Sequence, residues 1–128
     1  MELNEYQEKA MTTCTPSSRN FSYMILNLMG ELGEFSGKVA KAIRKQQASI
    51  EGSELIPFVP VNEFVSQNRK ITDEEFCELQ LEAGDILWQL SGLCKVMGWT
   101  LEEIAQKNIE KLADRKKRNV IIGEGDNR

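Results

Sequence analysis

Two apolar rows that step by threes and fours constrain this chain more than any other feature. The first runs through Phe21, Ile25, Leu28, Leu32, Phe35, Val39 and Ala42, and the second through Phe76, Leu79, Ala83, Ile86, Leu90, Leu93 and Met97. Such steps return to one side of an α-helix, which turns once in about 3.6 residues. The spacing predicts two long helices, each burying one stripe, the first ending near Gln47 and the second closed by Gly98. Asn20 or Ser18 is placed to cap the first. The run "TDEE" from Thr72 reads as a capping box for the second, with Glu75 reaching back. "TLEE" repeats that box with Thr100 and Glu103, and opens a last helix through Leu101, Ile104, Ala105, Asn108, Ile109 and Leu112 to about Arg118. A short first helix fits Leu3 to Thr13. Strand patterning is poor, so the expected fold is all-α: a helical bundle with two long seam-forming helices and shorter flanking helices, assembled as an oligomer.

Between the long helices, Gly52, Pro57 and Pro60 break the pattern. Residues 48–71 are expected to form an extended inserted loop, with a helical turn or two over Val61 to Gln67. A connection of that length usually has a job. A chain of 128 residues is expected to form one domain, here over residues 1–118, with 119–128 as a flexible C-terminal tail.

Each apolar row carries a pair of acids. Glu31 and Glu34 immediately precede Leu32 and Phe35; Glu82 and Asp85 immediately precede Ala83 and Ile86. Residues at i and i+3 share a helix face, so each pair flanks its own stripe on the same side. If the two helices pack antiparallel, both pairs converge on one half-buried spot. Four carboxylates there repel one another and lose hydration. Protonation, basic partners or a hard divalent cation would relieve them. Mg²⁺ suits the site because it takes oxygen ligands, keeps several waters and recruits substrate phosphates; Mn²⁺ is a workable substitute. Gly30, Gly33 and Gly84 leave room beside the acids, at a cost to helix stability. The competing reading is a solvated acidic face, the ordinary fate of a single such pair, and Glu75 and Glu78 extend the row in that sense.

Phosphate also calls for cations. Lys107, Lys111 and Arg115 recur every four residues on the last helix with Asn108 beside them, a stripe suited to a triphosphate or simply a basic face near a helix C-terminus. Lys38 and Lys41 balance charge on an outer face or reach a phosphate. Trp88 suits a subunit contact better than a nucleobase stack. "GEGD" near the end is no phosphate loop, because no P-loop lysine follows it.

Composition removes several alternatives. The chain has no histidine, which excludes His-based triads, His-ligated metals and the E-x-x-H pairs of di-iron bundles. A net charge of −4 opposes a nucleic-acid partner despite the Arg115 to Arg118 cluster. No apolar stretch approaches the roughly 20 residues needed to span a bilayer, so no membrane is expected. The start "MELNEYQEKAM" does not read as a secretory signal. Cys14, Cys77 and Cys94 are expected as free thiols in a reducing cytoplasm.

The E-x-x-E of Glu31 and Glu34 with the E-x-x-D of Glu82 and Asp85 resembles the signature of the MazG-like all-α nucleoside triphosphate pyrophosphohydrolases. The flanks "LMGELGEFSGKVAKAIRK", "ELQLEAGDILWQLSGLC" and "KNIEKLADRKKR" are similar too, over about residues 20 to 118. The connection between the two motifs is longer than in compact members. The resemblance implies hydrolysis of an NTP or dNTP to the monophosphate and pyrophosphate, with Mg²⁺ required and attack between the α and β phosphorus atoms. It implies a dimer or a dimer of dimers. Carried onto this chain, Glu31, Glu34, Glu82 and Asp85 hold the metal, and Glu31 or Glu34 orients the attacking water. Lys107, Asn108, Lys111 and Arg115 bind substrate. The alternative is a non-catalytic helical oligomerisation or adaptor module, in which the acids serve solubility alone.

Overall fold

The computed structural model describes residues 1–57 and 73–123. The described residues form four α-helices, one 3₁₀ turn and one two-stranded sheet. In chain order these are α1 (Leu3–Met11), the 3₁₀ turn (Pro16–Ser18), α2 (Phe21–Arg44), β1 (Ala48–Glu51), β2 (Glu54–Pro57), α3 (Asp73–Val96) and α4 (Leu101–Lys117). The fold class is all-α, as the periodicity predicts. None of the described helices is long and apolar enough to cross a membrane. The chain divides into two compact units, Met1–Phe21 with Ser91–Arg128 and Ser22–Leu90.

In the first unit, α1 packs on α4, and the contact is as much polar as apolar. An α-helix begins with backbone N–H groups that lack intrahelical partners. At α4 these groups are met from two directions. Thr100 Oγ1 accepts from the Glu103 N–H at 3.1 Å, as its capping position predicts. Gln7 Oε1 of α1 accepts from the Leu101 N–H at 3.1 Å, and Asn4 Oδ1 accepts from the Glu102 N–H at 3.1 Å. The Glu103 carboxylate, expected to reach back to Thr100, instead pairs with Lys107 at 3.3 Å. Buried Gln7 also donates through Nε2 to the carbonyls of Ser91 at 3.2 Å and Trp99 at 3.1 Å. Cys14, Cys94 and Leu101 supply the buried apolar side chains of this unit.

Three helices end in the same way. At Gly98 (φ +76°) the glycine N–H donates to Lys95 O at 3.1 Å and the Trp99 N–H to Cys94 O at 2.8 Å, a Schellman closure. The same bond pair closes α2 around Gln46 (φ 58°) and α4 around Asn119 (φ 57°), without glycine. A side chain in this left-handed region costs roughly 1–2 kcal/mol, so the reach of Gln47 N–H to Ala42 O at 2.8 Å is made against strain. Of the expected tail, residues 119–123 form turns and 124–128 lie outside the described residues.

The second unit corrects two expectations. Residues 48–57, expected as extended connection, form an antiparallel hairpin pairing Ala48 with Pro57 and Glu51 with Glu54. Gly52 (φ +62°) takes the first of its two loop positions, where a tight hairpin turn accepts glycine. The helical turn expected over Val61 to Gln67, and the Thr72 cap, lie outside the described residues. The seams also differ: Ile25, Leu32, Phe76 and Leu90 stay substantially exposed, and among the described residues of this unit the buried apolar side chains are Met24 and Ala48. The α2–α3 contact line instead runs one residue to the side, through polar groups.

Gln7 provides a direct test. Gln7→Ala leaves one buried N–H and two carbonyls without their side-chain partner. Urea unfolding is expected to show a loss of about 2–3 kcal/mol, since unpaired buried polar groups cost about 1–3 kcal/mol each and water recovers part.

Candidate active site

Side-chain pairings set the direction of the two long helices. Gln89 of α3 meets Met24 and Asn27 of α2, Glu78 and Glu82 meet Lys38, and Glu75 accepts from Gln47 Nε2 at 3.4 Å. Partner numbers fall along α3 as they rise along α2, so the helices run antiparallel. This is the arrangement under which two acid pairs can converge.

Three of the four acids do converge. Glu31, Glu34 and Glu82 each place a carboxylate oxygen within 4.8 Å of the others. Asp85 falls outside this group. It lies three residues beyond Glu82 along α3, about 4.5 Å further up the helix axis. Its charge is still felt at Glu31.

The three carboxylates are restrained unequally. Glu31 is half-buried and accepts from Asn27 Nδ2 at 2.9 Å. Burial raises its pKa above the ordinary 4.5; Glu34 adds to the rise, the Asn27 hydrogen bond opposes it, and Asp85 and Glu82 push further up. The Glu82 side chain is only 13% exposed, and its Oε1 lies 3.3 Å from Lys38 Nζ. Its Oε2 is buried with no hydrogen-bond partner among the described residues. Lys38 Nζ also meets Glu78 Oε2 at 3.1 Å. These bonds, to Glu78 first and then Glu82, raise the lysine pKa and keep it charged. Glu34 is exposed.

This donor set fits a hard cation. It is all oxygen, it is crowded, and one of its buried oxygens is unsatisfied. A cationic ammonium already sits on Glu82, partly answering the same electrostatic need.

Beyond Lys38 lies a cavity of about 230 Å³, walled by Lys41 of α2, Lys45 just past its end, Leu79 of α3 and Leu55 of the hairpin. Lys38 therefore borders both Glu82 and a cavity that the hairpin helps to wall, which periodicity alone did not reveal. Asn27 and Gln89 also went unremarked in the sequence. The available signal was a polar amide interrupting an apolar run, in "MILNLMG" and "ILWQLSG".

The expected substrate residues all lie on α4, in the first unit, whereas the four acids lie in the second. Lys107, Asn108 and Lys111 are exposed, and Lys107 is paired with Glu103. Arg115 is buried, 6% exposed.

A family model described as the MazG nucleotide pyrophosphohydrolase domain matches residues 19–120. The chain belongs to the MazG family. The match includes all four acids and the α4 cations of this MazG domain. The chain is also similar to the Gene 37 protein of Mycobacterium phage L5, 33% identical over 112 residues, which cover 88% of this chain and 80% of the phage protein. No solved structure matches it.

The crowding at the MazG acids gives a pH signature. A carboxyl whose folded pKa lies above its unfolded value destabilises the fold at higher pH, and the penalty is relieved as pH falls through the folded pKa. Glu31→Gln is therefore expected to raise the melting temperature in EDTA at neutral pH. The gain should disappear below about pH 4.5, where Glu31 is protonated in both states. Melting curves of both proteins across that range check the sign.

Proposed function

We propose that this MazG protein hydrolyses a nucleoside triphosphate, ribo or deoxy, to the monophosphate and pyrophosphate. The observation that carries the reading is the meeting of Glu31, Glu34 and Glu82 from two antiparallel helices, with oxygens within 4.8 Å of one another. Glu31, Glu34, Glu82 and Asp85 would hold Mg²⁺, with Mn²⁺ as a substitute. When bound, the ion would supply positive charge to offset that of the phosphates. Phosphoanhydride cleavage needs little else beyond a positioned water.

The protein's own groups supply that positioning. Glu31 or Glu34 orients the attacking water and accepts its proton. Exposure favours Glu34, because Glu31 is already committed to Asn27. On charge and spacing, the triphosphate is assigned to Lys107, Asn108, Lys111 and Arg115. In this reading residues 1–118 form one pyrophosphohydrolase domain with 48–71 as an insert, and the protein works in the cytoplasm.

The working form is a homodimer or homotetramer. Leu26, Met29 and Leu81 are 72%, 68% and 65% exposed, and three large apolar side chains so open call for cover. A second copy of the chain presents the same residues and buries them symmetrically.

Two experiments test these statements. A panel of NTPs and dNTPs with Mg²⁺ should release monophosphate and pyrophosphate. Glu34→Gln and Glu82→Gln should each lower kcat about a hundredfold or more, given that a catalytic cation contributes several kcal/mol. Full activity in either variant contradicts the site, orthophosphate release contradicts the reaction, and inactivity on every nucleotide favours the adaptor alternative. Separately, light scattering should give a dimer or tetramer for the parent and a smaller species for Leu26→Lys with Met29→Lys. A monomeric parent contradicts the assembly.

A further inference from the structure

Behind the carboxylates lies a chain of amides. Gln89 is fully buried, at 0% exposure. Its Nε2 donates to the Met24 carbonyl at 3.1 Å and lies 3.2 Å from Met24 Sδ. Its Oε1 accepts from Asn27 Nδ2 at 2.9 Å, and the same Nδ2 donates to Glu31 Oε1 at 2.9 Å.

The orientation of this chain is determined from its buried end. A main-chain carbonyl only accepts, so Gln89 must point its NH₂ at Met24 and its oxygen at Asn27. Asn27 must then turn its own NH₂ inward. An amide nitrogen has two hydrogens; one goes to Gln89 and the other to Glu31. Glu31 therefore always meets a donor. Gly30 leaves room for this arrangement, because a Cβ there would approach Asn27 Oδ1 to 3.3 Å.

We propose that Asn27 and Gln89 are positioning residues, an amide relay that fixes the Glu31 carboxylate for cation binding. The inference rests on the metal role given to Glu31 above. A lone carboxylate rotates freely; one with an oxygen held by a fixed donor keeps its plane and offers its remaining lone pairs in one direction. Outer partners of this kind tune metal affinity strongly. The relay crosses from α3 to α2, so the helix carrying Glu82 also orients Glu31.

The test measures Mn²⁺ affinity without nucleotide, by electron paramagnetic resonance, beside melting temperature in EDTA. Asn27→Leu keeps the size and removes the donor, and is expected to weaken Mn²⁺ binding about tenfold or more. Asn27→Asp should weaken it too, despite the added charge, because the donor is gone. Gln89→Met should give a smaller loss, and the Asn27→Leu, Gln89→Met double variant should match Asn27→Leu alone, since the two act in series.

A role in packing alone would lower melting temperature and leave the affinity of the folded protein unchanged. Affinity of Asn27→Leu within twofold of the parent overturns the relay, and so do additive losses in the double variant. If Gln89→Met does not fold, the Asn27 variants decide. Failure of the parent to hydrolyse any nucleotide, with Mn²⁺ affinity still falling in Asn27→Leu, sinks the catalytic reading and leaves the relay standing. A parent that binds no Mn²⁺ sinks both.

Discussion

Three carboxylates drawn to one point set the terms for the second unit. Two unit charges about 4 Å apart repel by about 1 kcal/mol in water and about 4 kcal/mol at an effective dielectric near 20. Glu31, Glu34 and Glu82 form three such pairs at comparable separations, and Glu82 is well shielded from solvent. The fold relieves this repulsion only in part. Lys38 neutralises one carboxylate and Asn27 donates to another, while Glu34 relies on water. The Glu31 carboxyl is raised in pKa first by burial and then by the neighbouring charges, despite its hydrogen bond. Burial, like charge and an unsatisfied oxygen together are the features on which the proposed cation site rests.

The same constraint explains why α2 and α3 meet as they do. Helices that pack through leucine and phenylalanine alone would bury their stripes fully. Here the facing positions include Asn27, Glu31, Lys38, Glu75, Glu82 and Gln89, so the apolar stripes are rotated partly outward. Met24 is completely buried, yet Ile25, Leu32 and Leu90 are not. Much of the hydrophobic contribution available to two 24-residue helices is left unused within this unit. A polar contact line held at that cost is one of the features on which the proposed site rests.

Much of this was legible in the residues, and the rest was hidden for specific reasons. Helix starts and lengths followed from the three-four spacing, because that spacing is a property of one helix alone. Gly98 was a readable stop; Gln46 and Asn119 were not, because the left-handed position they fill is normally given to glycine. The hairpin at Ala48–Pro57 was missed because four-residue strands are too short to establish alternation. At the site, i,i+3 spacing revealed the acids but not which would meet. Convergence depends on where antiparallel helices cross, and the offset of Asp85 appears only in three dimensions. Lys38 reads in the sequence as an outer counter-charge or a phosphate ligand, because its helix spacing from Glu34 says nothing about a partner 44 residues away, such as Glu82.

The two units show the same physical device put to different use. In the first, Gln7 spends both ends of its amide on main-chain groups of Ser91, Trp99 and Leu101, so a buried polar side chain stands in for missing helix bonds. In the second, Gln89 is equally buried but passes its hydrogen bond outward through Asn27 to a side chain that carries charge. Both amides satisfy the rule that buried polar groups find partners. Gln7 ends on backbone that does not titrate, so its bonds contribute rigidity. The Gln89 chain ends on Glu31, where the rigidity of a helix interior is delivered to one oxygen of a crowded anionic cluster.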